Sequence, residues 1–387
     1  MTMIAWSVVF SVLAVSVGLY QLYVVPIMDA LSIFRIHQPL NNFTNCITIP
    51  ELQACEKIVL HQPSGKLFLA CSTPESRSRW SPSGQDFDAE HRSTEDYVAI
   101  FDPRSKEITR LALDKFDSDR GLSVHGMDVV PSSSNPNELF VYLVNHRPPR
   151  HGDPRAVGAD SAVEIFKTTL TSGKLVHIKT VEDPSIITPN DLIGAMDGKS
   201  FYFTNDHAHK VLLLRTLREF FNPATSIGYC HVDDGCKLVA KNMKHLNGIV
   251  QAPNGTIYVG SCLGKAVRVY DRQEDNSIVL TDVISYETAI DNLSIDTDGV
   301  LWAAGFPNAL AMVNYIKHRS TTAPSVSWKL SINTGPSSFY GEKFKIERAF
   351  EDSGNLAPGS TTVVHDAQRG LVFMHGMVSP WLTVCKV

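Results

Sequence analysis

Five turns built from a polar residue and a glycine punctuate the chain, and each runs at once into an apolar strand. They are Ser64-Gly65 before Leu67-Phe68-Leu69, Asp197-Gly198 before Phe201-Tyr202-Phe203, and Asn254-Gly255 before Ile257-Tyr258-Val259. Asp298-Gly299 before Leu301-Trp302 and Arg369-Gly370 before Leu371-Val372-Phe373 complete the five. Asn137-Glu138-Leu139-Phe140-Val141 repeats the pattern without glycine. Short apolar runs such as Tyr97–Phe101 and Val211–Leu214 read as further strands, and long helical periodicity is scarce. The six turns fall 61 residues apart on average. A unit of that length holds a hairpin and two more strands, and alone it cannot bury both faces of its sheet. A closed ring of six can. The spacing therefore predicts an all-β fold, a six-bladed β-propeller, in preference to a pair of β-sandwiches.

Polar residues recur in phase with these turns. Asn190, Asn247 and Asp291 each lie eight residues before the turn glycine, Asn292 follows Asp291, and Glu56 lies nine before Gly65. The strand leading into such a turn is the innermost of its blade, so its start faces the central channel and equivalent positions converge on the axis. Single Asn or Asp residues at strand starts usually serve turns. Repetition in phase points instead to a ligand set of hard oxygens, with two carboxylates to balance a divalent ion. That chemistry suits Ca²⁺ and not zinc. The Asn292-Leu293-Ser294 sequon is then expected to be buried and unglycosylated. His125, His146 and His207 fall near the same ends of strands. A histidine beside a cation-bound substrate can serve as general base, and a second can orient it. His125 and His146 are expected to bracket one blade.

The ends of the chain carry different signals. No charged residue precedes Asp29 and no basic one precedes Arg35, and the stretch from Met3 to Ile27 is mostly apolar. It is long enough to cross a bilayer as a helix. A cleaved signal with Ser16 and Gly18 near its cleavage point competes with a retained signal anchor. Apolar residues continuing to Val25 favour the anchor. Either sends the chain into the secretory pathway, membrane-anchored or secreted. The expected division is a leader over 1–28, a tether over 29–44 and the propeller over 45–387. Asn42 and Asn254 head glycosylation sequons. The seven cysteines have no CxxC or Cys/His zinc spacing. Cys46 and Cys385 stand at the two ends of the ring and would clip its first strand to its last blade. Cys230 and Cys236 flank a turn. Cys55 and Cys71 either pair or lie buried as thiols, and the odd count leaves Cys262 as the candidate free thiol. With 35 basic against 40 acidic residues and no basic run, nucleic acid is not an expected partner.

These residues, in this order, resemble the paraoxonase/arylesterase family of calcium-dependent lactonases. The pieces that carry the resemblance are His125-Gly126, Val144-Asn145-His146, Asn190-Asp191, Thr204-Asn205-Asp206-His207, Asn247-Gly248 and Asp291-Asn292. It runs from about Cys46 to Cys385. It implies a six-bladed propeller, an uncleaved hydrophobic N-terminus and a disulfide joining the ends. It also implies a catalytic calcium on Glu56, Asn190, Asn247, Asp291 and Asn292, with His125 as general base and His146 as its partner. Asp191 and the backbone carbonyl at Met127 match the family's second, structural calcium, and His207 lies in the pocket.

Two departures stand out. Lys57 occupies the position of a carboxylate that would hold the structural ion, so its ammonium is expected to pair with Asp191 and leave one calcium per chain. Phe306 stands where the family often has a pocket histidine. The function implied is hydrolysis of small-molecule lactones or aryl esters. A calcium-dependent cyclase or isomerase and a non-catalytic binding propeller are the alternatives.

Overall fold

A computed structural model describes residues 2–387. Six sheets, each with four antiparallel strands, form the ring, and two carry a fifth at the outer edge: Ala112–Asp114, parallel, on blade 2 and Leu40–Asn41 on blade 5. Blade 1 contains Cys55–His61, Lys66–Cys71, Tyr97–Asp102 and Glu107–Arg110. Blade 2 contains Val124–Pro131, Leu139–Arg147, Asp160–Thr168 and Lys174–Val181, and blade 3 Pro189–Gly194, Ser200–Asn205, Thr225–His231 and Gly235–Met243. Blade 4 contains Leu246–Gln251, Ile257–Ser261, Ala266–Arg272 and Ile278–Ser285, and blade 5 Ala289–Ile295, Leu301–Phe306, Ser325–Ile332 and Phe344–Asp352. Blade 6 joins the two ends of the chain: Thr362–Asp366, Leu371–His375 and Leu382–Lys386 are completed by Thr44–Ile49. The first strand of each blade is the inner one, and each packs against the inner strands of both neighbours.

The reason for closure is visible in the core. One apolar cluster fills each of the six blade interfaces. Phe68 and Leu143 meet between blades 1 and 2, and Trp302 and Met374 between blades 5 and 6. Every sheet thus buries both faces against its neighbours, which an isolated unit cannot do.

The run Val211–Leu214 corrects the expected strand: it is a turn entering the helix Arg215–Phe221. The strand slot beside Ser200–Asn205 is taken by Thr225–His231, so this apolar segment has no edge to pair with and Leu213 is 80% exposed. Apolarity alone does not distinguish a strand from such a segment. Short helices Pro74–Arg79, Pro154–Val157, Arg215–Phe221 and Ala309–Lys317 all lie in connections between second and third strands. They therefore crowd one end of the ring, where the inner strands begin.

The leader is helical from Thr2 to Ala30, with a π turn over Tyr20–Val24. Pro26 lacks an N–H and its ring crowds the carbonyl four residues back, and the wider turn relieves that contact. Val8–Ala30 is long and apolar enough to cross a membrane. The segment that follows is held to the ring. Arg35 forks onto Glu351 at 2.6 and 2.7 Å, His37 lies 2.9 Å from the same carboxylate, and Leu40–Asn41 pairs with the outer strand of blade 5.

Three disulfides form: Cys46–Cys385, Cys55–Cys71 and Cys230–Cys236, with Cys262 free. The first spans 339 residues and closes the mixed blade. Replacing both Cys46 and Cys385 with serine is expected to lower unfolding stability by about 2–4 kcal/mol, read by urea denaturation. An unchanged midpoint would show that strand pairing alone closes the ring.

Candidate metal centre at the mouth of the central channel

The inner strands of five blades carry one extra residue each at the same end. The register slips between Cys55 and Lys57, Val124 and Met127, Pro189 and Leu192, Leu246 and Ile249, and Ile290 and Leu293. A bulge re-aims side chains out of the alternating pattern. Here the bulged segments contain Glu56, His125, Asn190, Asn247, Asp291 and Asn292. Two of these segments also hold glycine for a steric reason. A Cβ on Gly126 would lie 2.3 Å from the Asn190 carbonyl oxygen, and one on Gly248 would lie 2.6 Å from Asn292 Cα. Only glycine lets neighbouring inner strands approach this closely.

Glu56, His125, Asn190, Asn247 and Asp291 line one cavity of about 340 Å³ at this end, together with His207 and Phe306. The apolar side chains of Leu31, Met312 and Ile316 wall it. Three buried oxygens, Asn190 Oδ1, Asn247 Oδ1 and Asp291 Oδ1, have no hydrogen-bond partner. Asn190 Nδ2 donates to His125 Nε2 at 3.3 Å, which turns the amide oxygen away from the histidine. Glu56 accepts from Thr361 Oγ1 at 2.9 Å and Asn292 Nδ2 at 3.2 Å. Burial pushes the Glu56 carboxyl up against the pull of Arg77. Burial and then the nearby Glu56 push Asp291 well above the usual carboxylate range. Two buried carboxylates and orphaned amide oxygens fit a divalent cation that prefers oxygen. The donor set suits calcium.

The other expected residues divide around this cavity. Asn292 lies beneath it, with Oδ1 3.4 Å from Lys57 Nζ. Lys57 Nζ lies 2.5 Å from Asp191 Oδ2, fully buried, and Asp191 Oδ2 also accepts from Ile249 N at 3.0 Å. Asp191 Oδ1 is unpartnered. The Met127 side chain packs in the core between blades 1 and 2. Lys57 and Met127 also border a larger cavity of about 620 Å³ at the opposite end of the ring, lined chiefly by apolar residues such as Ile58, Leu192 and Ile249. The larger space lacks the converging oxygens, so the smaller one is the candidate site.

His125 and His146 sit on adjacent strands of blade 2 at the same end, rather than bracketing the blade. Their rings meet edge to face at 5.2 Å, and His146 Nδ1 lies 2.9 Å from Ser161 Oγ. Burial and then the Arg77 cation press His146 down to about 3. Burial, His146, Arg77 and Lys57 hold His125 well below the usual imidazole range. Both are neutral at pH 7. Cys262 also borders the cavity, and burial with nearby Asp291 and Asp206 pushes its thiol up, away from the thiolate.

Sequence reasoning missed Thr361, Arg77, Glu219 and His245. Thr361 was within reach, since it lies nine residues before Gly370, the offset that found Glu56. Arg77 and Glu219 come from inserted helices that follow no period. Asn42 and Asn254 are exposed, and Asn292 is buried.

A family model described as Arylesterase matches residues 99–378. The chain is 25% identical over 270 residues to serum paraoxonase/arylesterase 1 of Homo sapiens, covering 68% of this chain and 70% of that protein. It is 27% identical over 225 residues to serum paraoxonase/lactonase 3 of Oryctolagus cuniculus, covering 58% of each. Among solved structures, a luciferin-regenerating enzyme superposes with a TM-score of 0.50 at 13% identity, over 90% of this chain and 96% of that one, a likeness of fold alone. With the matched model spanning well over half of its length, this chain belongs to the arylesterase family.

Proposed function

We propose that this protein is a calcium-dependent hydrolase of lactones or aryl esters. The family supports a hydrolase of esters or lactones in general. The observation that carries the finer reading is the set of three buried, unpartnered oxygens on Asn190, Asn247 and Asp291 beside Glu56. Glu56, Asn190, Asn247, Asp291 and Asn292 would hold the ion. When bound there, calcium supplies a Lewis acid for the ester carbonyl and charge stabilisation for the oxyanion. Glu56 and Asp291 provide two negative charges to match it. His125 is neutral and its Nε2 accepts from Asn190 Nδ2; once the Asn190 amide turns to the ion, that nitrogen would be free to take a proton from water in the cavity, and His146, anchored by Ser161, would back it. Phe306, Met312, Ile316 and Leu31 offer an apolar wall to the acyl or aryl part and exclude bulk water.

Lys57 takes the place of a second ion. Its ammonium compensates Asp191 in a buried pair, so the protein holds one calcium. Metal analysis of purified protein is expected to find one tightly bound calcium per chain, and two would overturn this reading. Lys57→Met leaves Asp191 without its cation and is expected to cost about 3–5 kcal/mol of stability in denaturant titrations.

The leader is proposed to associate with a membrane in the secretory pathway. Three disulfides and exposed sequons at Asn42 and Asn254 support an oxidising compartment.

The central test is a lactone and aryl-ester panel assayed with and without a calcium chelator. Hydrolysis is expected to vanish with calcium, and activity that survives complete removal refutes the mechanism. A calcium-loaded, folded protein inert on the whole panel points to a non-hydrolytic cyclase or isomerase, or to a binding propeller. Asn247→Ala should weaken calcium binding. His125→Gln should keep the ion and lose about 10²–10⁴ in rate. Full activity in His125→Gln removes the histidine from the role of base.

A further inference from the structure

We propose that His207, Glu219 and His245 form a second metal site, for a transition-metal ion of zinc type, opening onto the same cavity as the calcium ligands. The three side chains come from separate elements. His207 follows the second strand of blade 3, Glu219 lies in the helix Arg215–Phe221, and His245 immediately precedes the inner strand of blade 4. One ligand atom from each lies within 4.8 Å of the other two, and all three residues are buried. The rings of His207 and His245 meet at 87° with centroids 5.7 Å apart, and both border the cavity.

The second observation is the state of His245. It is 5% exposed, and neither ring nitrogen has a partner. A neutral imidazole has one N–H and one lone pair, and burying both unengaged is costly. A metal ion takes up the lone pair. Glu219 is already arranged around its neighbours. His207 Nδ1 lies 2.6 Å from Glu219 Oε2, and Ala208 N donates to Oε1 at 3.0 Å. The helix that carries Glu219 is pinned in turn. Buried Arg215 donates to the carbonyls of Pro82 at 2.8 Å and Lys210 at 2.8 Å. The backbone that carries Glu219 is therefore fixed before any ion arrives.

Two imidazoles and a carboxylate form a common zinc-binding set, leaving a fourth position for water or substrate. Calcium prefers oxygen and would not compete strongly for two ring nitrogens. Zinc–ligand bonds of about 2.0–2.2 Å place ligand atoms roughly 3.3–3.6 Å apart in a tetrahedron, between the 2.6 Å that separates His207 Nδ1 from Glu219 Oε2 and the 4.8 Å within which all three ligand atoms lie. Binding splits the contact between His207 and Glu219 and displaces the proton shared there. No Cys/His spacing announced this site, because its parts lie on two blades and an inserted helix.

The test uses the full-length protein, stripped of metals, reloaded with excess calcium and titrated with Zn²⁺ alone. One zinc per chain is expected. His245→Ala and Glu219→Gln each remove a direct ligand and should weaken zinc binding by at least the roughly 10–100-fold that loss of an outer-shell partner costs, while the calcium content stays at one per chain. No stoichiometric zinc, or equal affinity in wild type and both variants, overturns the site. If a variant does not fold, Co²⁺ binding to the wild-type protein decides. Visible absorption bands of a four- or five-coordinate cobalt ion are expected, and their absence overturns the proposal. The two ions are measured separately, so failure of zinc binding leaves the calcium reading untouched, and the reverse also holds.

Discussion

Polar contacts across the axis tie the six inner strands into one object. Thr361 of blade 6 donates to Glu56 of blade 1, which also accepts from Asn292 of blade 5. Lys57 of blade 1 reaches Asp191 of blade 3 and Asn292 of blade 5, and Asp191 accepts from Ile249 of blade 4. Asn190 of blade 3 meets His125 of blade 2. Apolar packing at the interfaces supplies most of the driving force, but it is non-directional. The axial network is directional. It sits in low dielectric, where satisfied hydrogen bonds specify one arrangement and an unpaired charge is severely penalised.

The same feature explains why fold and site cannot be separated here. The ring needs its inner strands close together at one end, and Gly126 and Gly248 permit that approach. The bulges then turn the adjacent polar side chains toward the channel. A cation at their meeting point would offset the mutual repulsion of Glu56 and Asp291, while Lys57 offsets Asp191 from within the chain. One charge problem is solved by a side chain, and its neighbour would be solved by the proposed ion.

Much of this was legible before any coordinates. The turn spacing carried the blade count, because each turn marks the exit of one inner strand. The offset of eight or nine residues carried Glu56, Asn190, Asn247 and Asp291, because the offset measures the length of that strand. Periodicity stops where the insertions begin. Arg77 and Glu219 ride on helices between second and third strands, so no internal repeat points to them. The Val211–Leu214 run misled because strand-like composition does not show whether an edge is free to pair. The pairing of His125 with His146 was legible too, and the structure adds how it arises: adjacent antiparallel strands of blade 2 bring the two rings side by side.

The mixed sixth blade has a consequence for biogenesis. Thr44–Ile49 must wait for Leu382–Lys386, and the cysteines of that blade are 339 residues apart. At synthesis rates of about 5–20 residues per second, the wait lasts roughly 20–70 s. During it, the first strand has an open hydrogen-bonding edge, a known route to wrong pairing with other chains. Five blades can form in order as they emerge, but the ring closes only after Leu382–Lys386 have left the ribosome. Premature termination just before Leu382 would therefore release a nearly complete propeller with two unsealed edges, a species suited to capture by quality control rather than to slow repair.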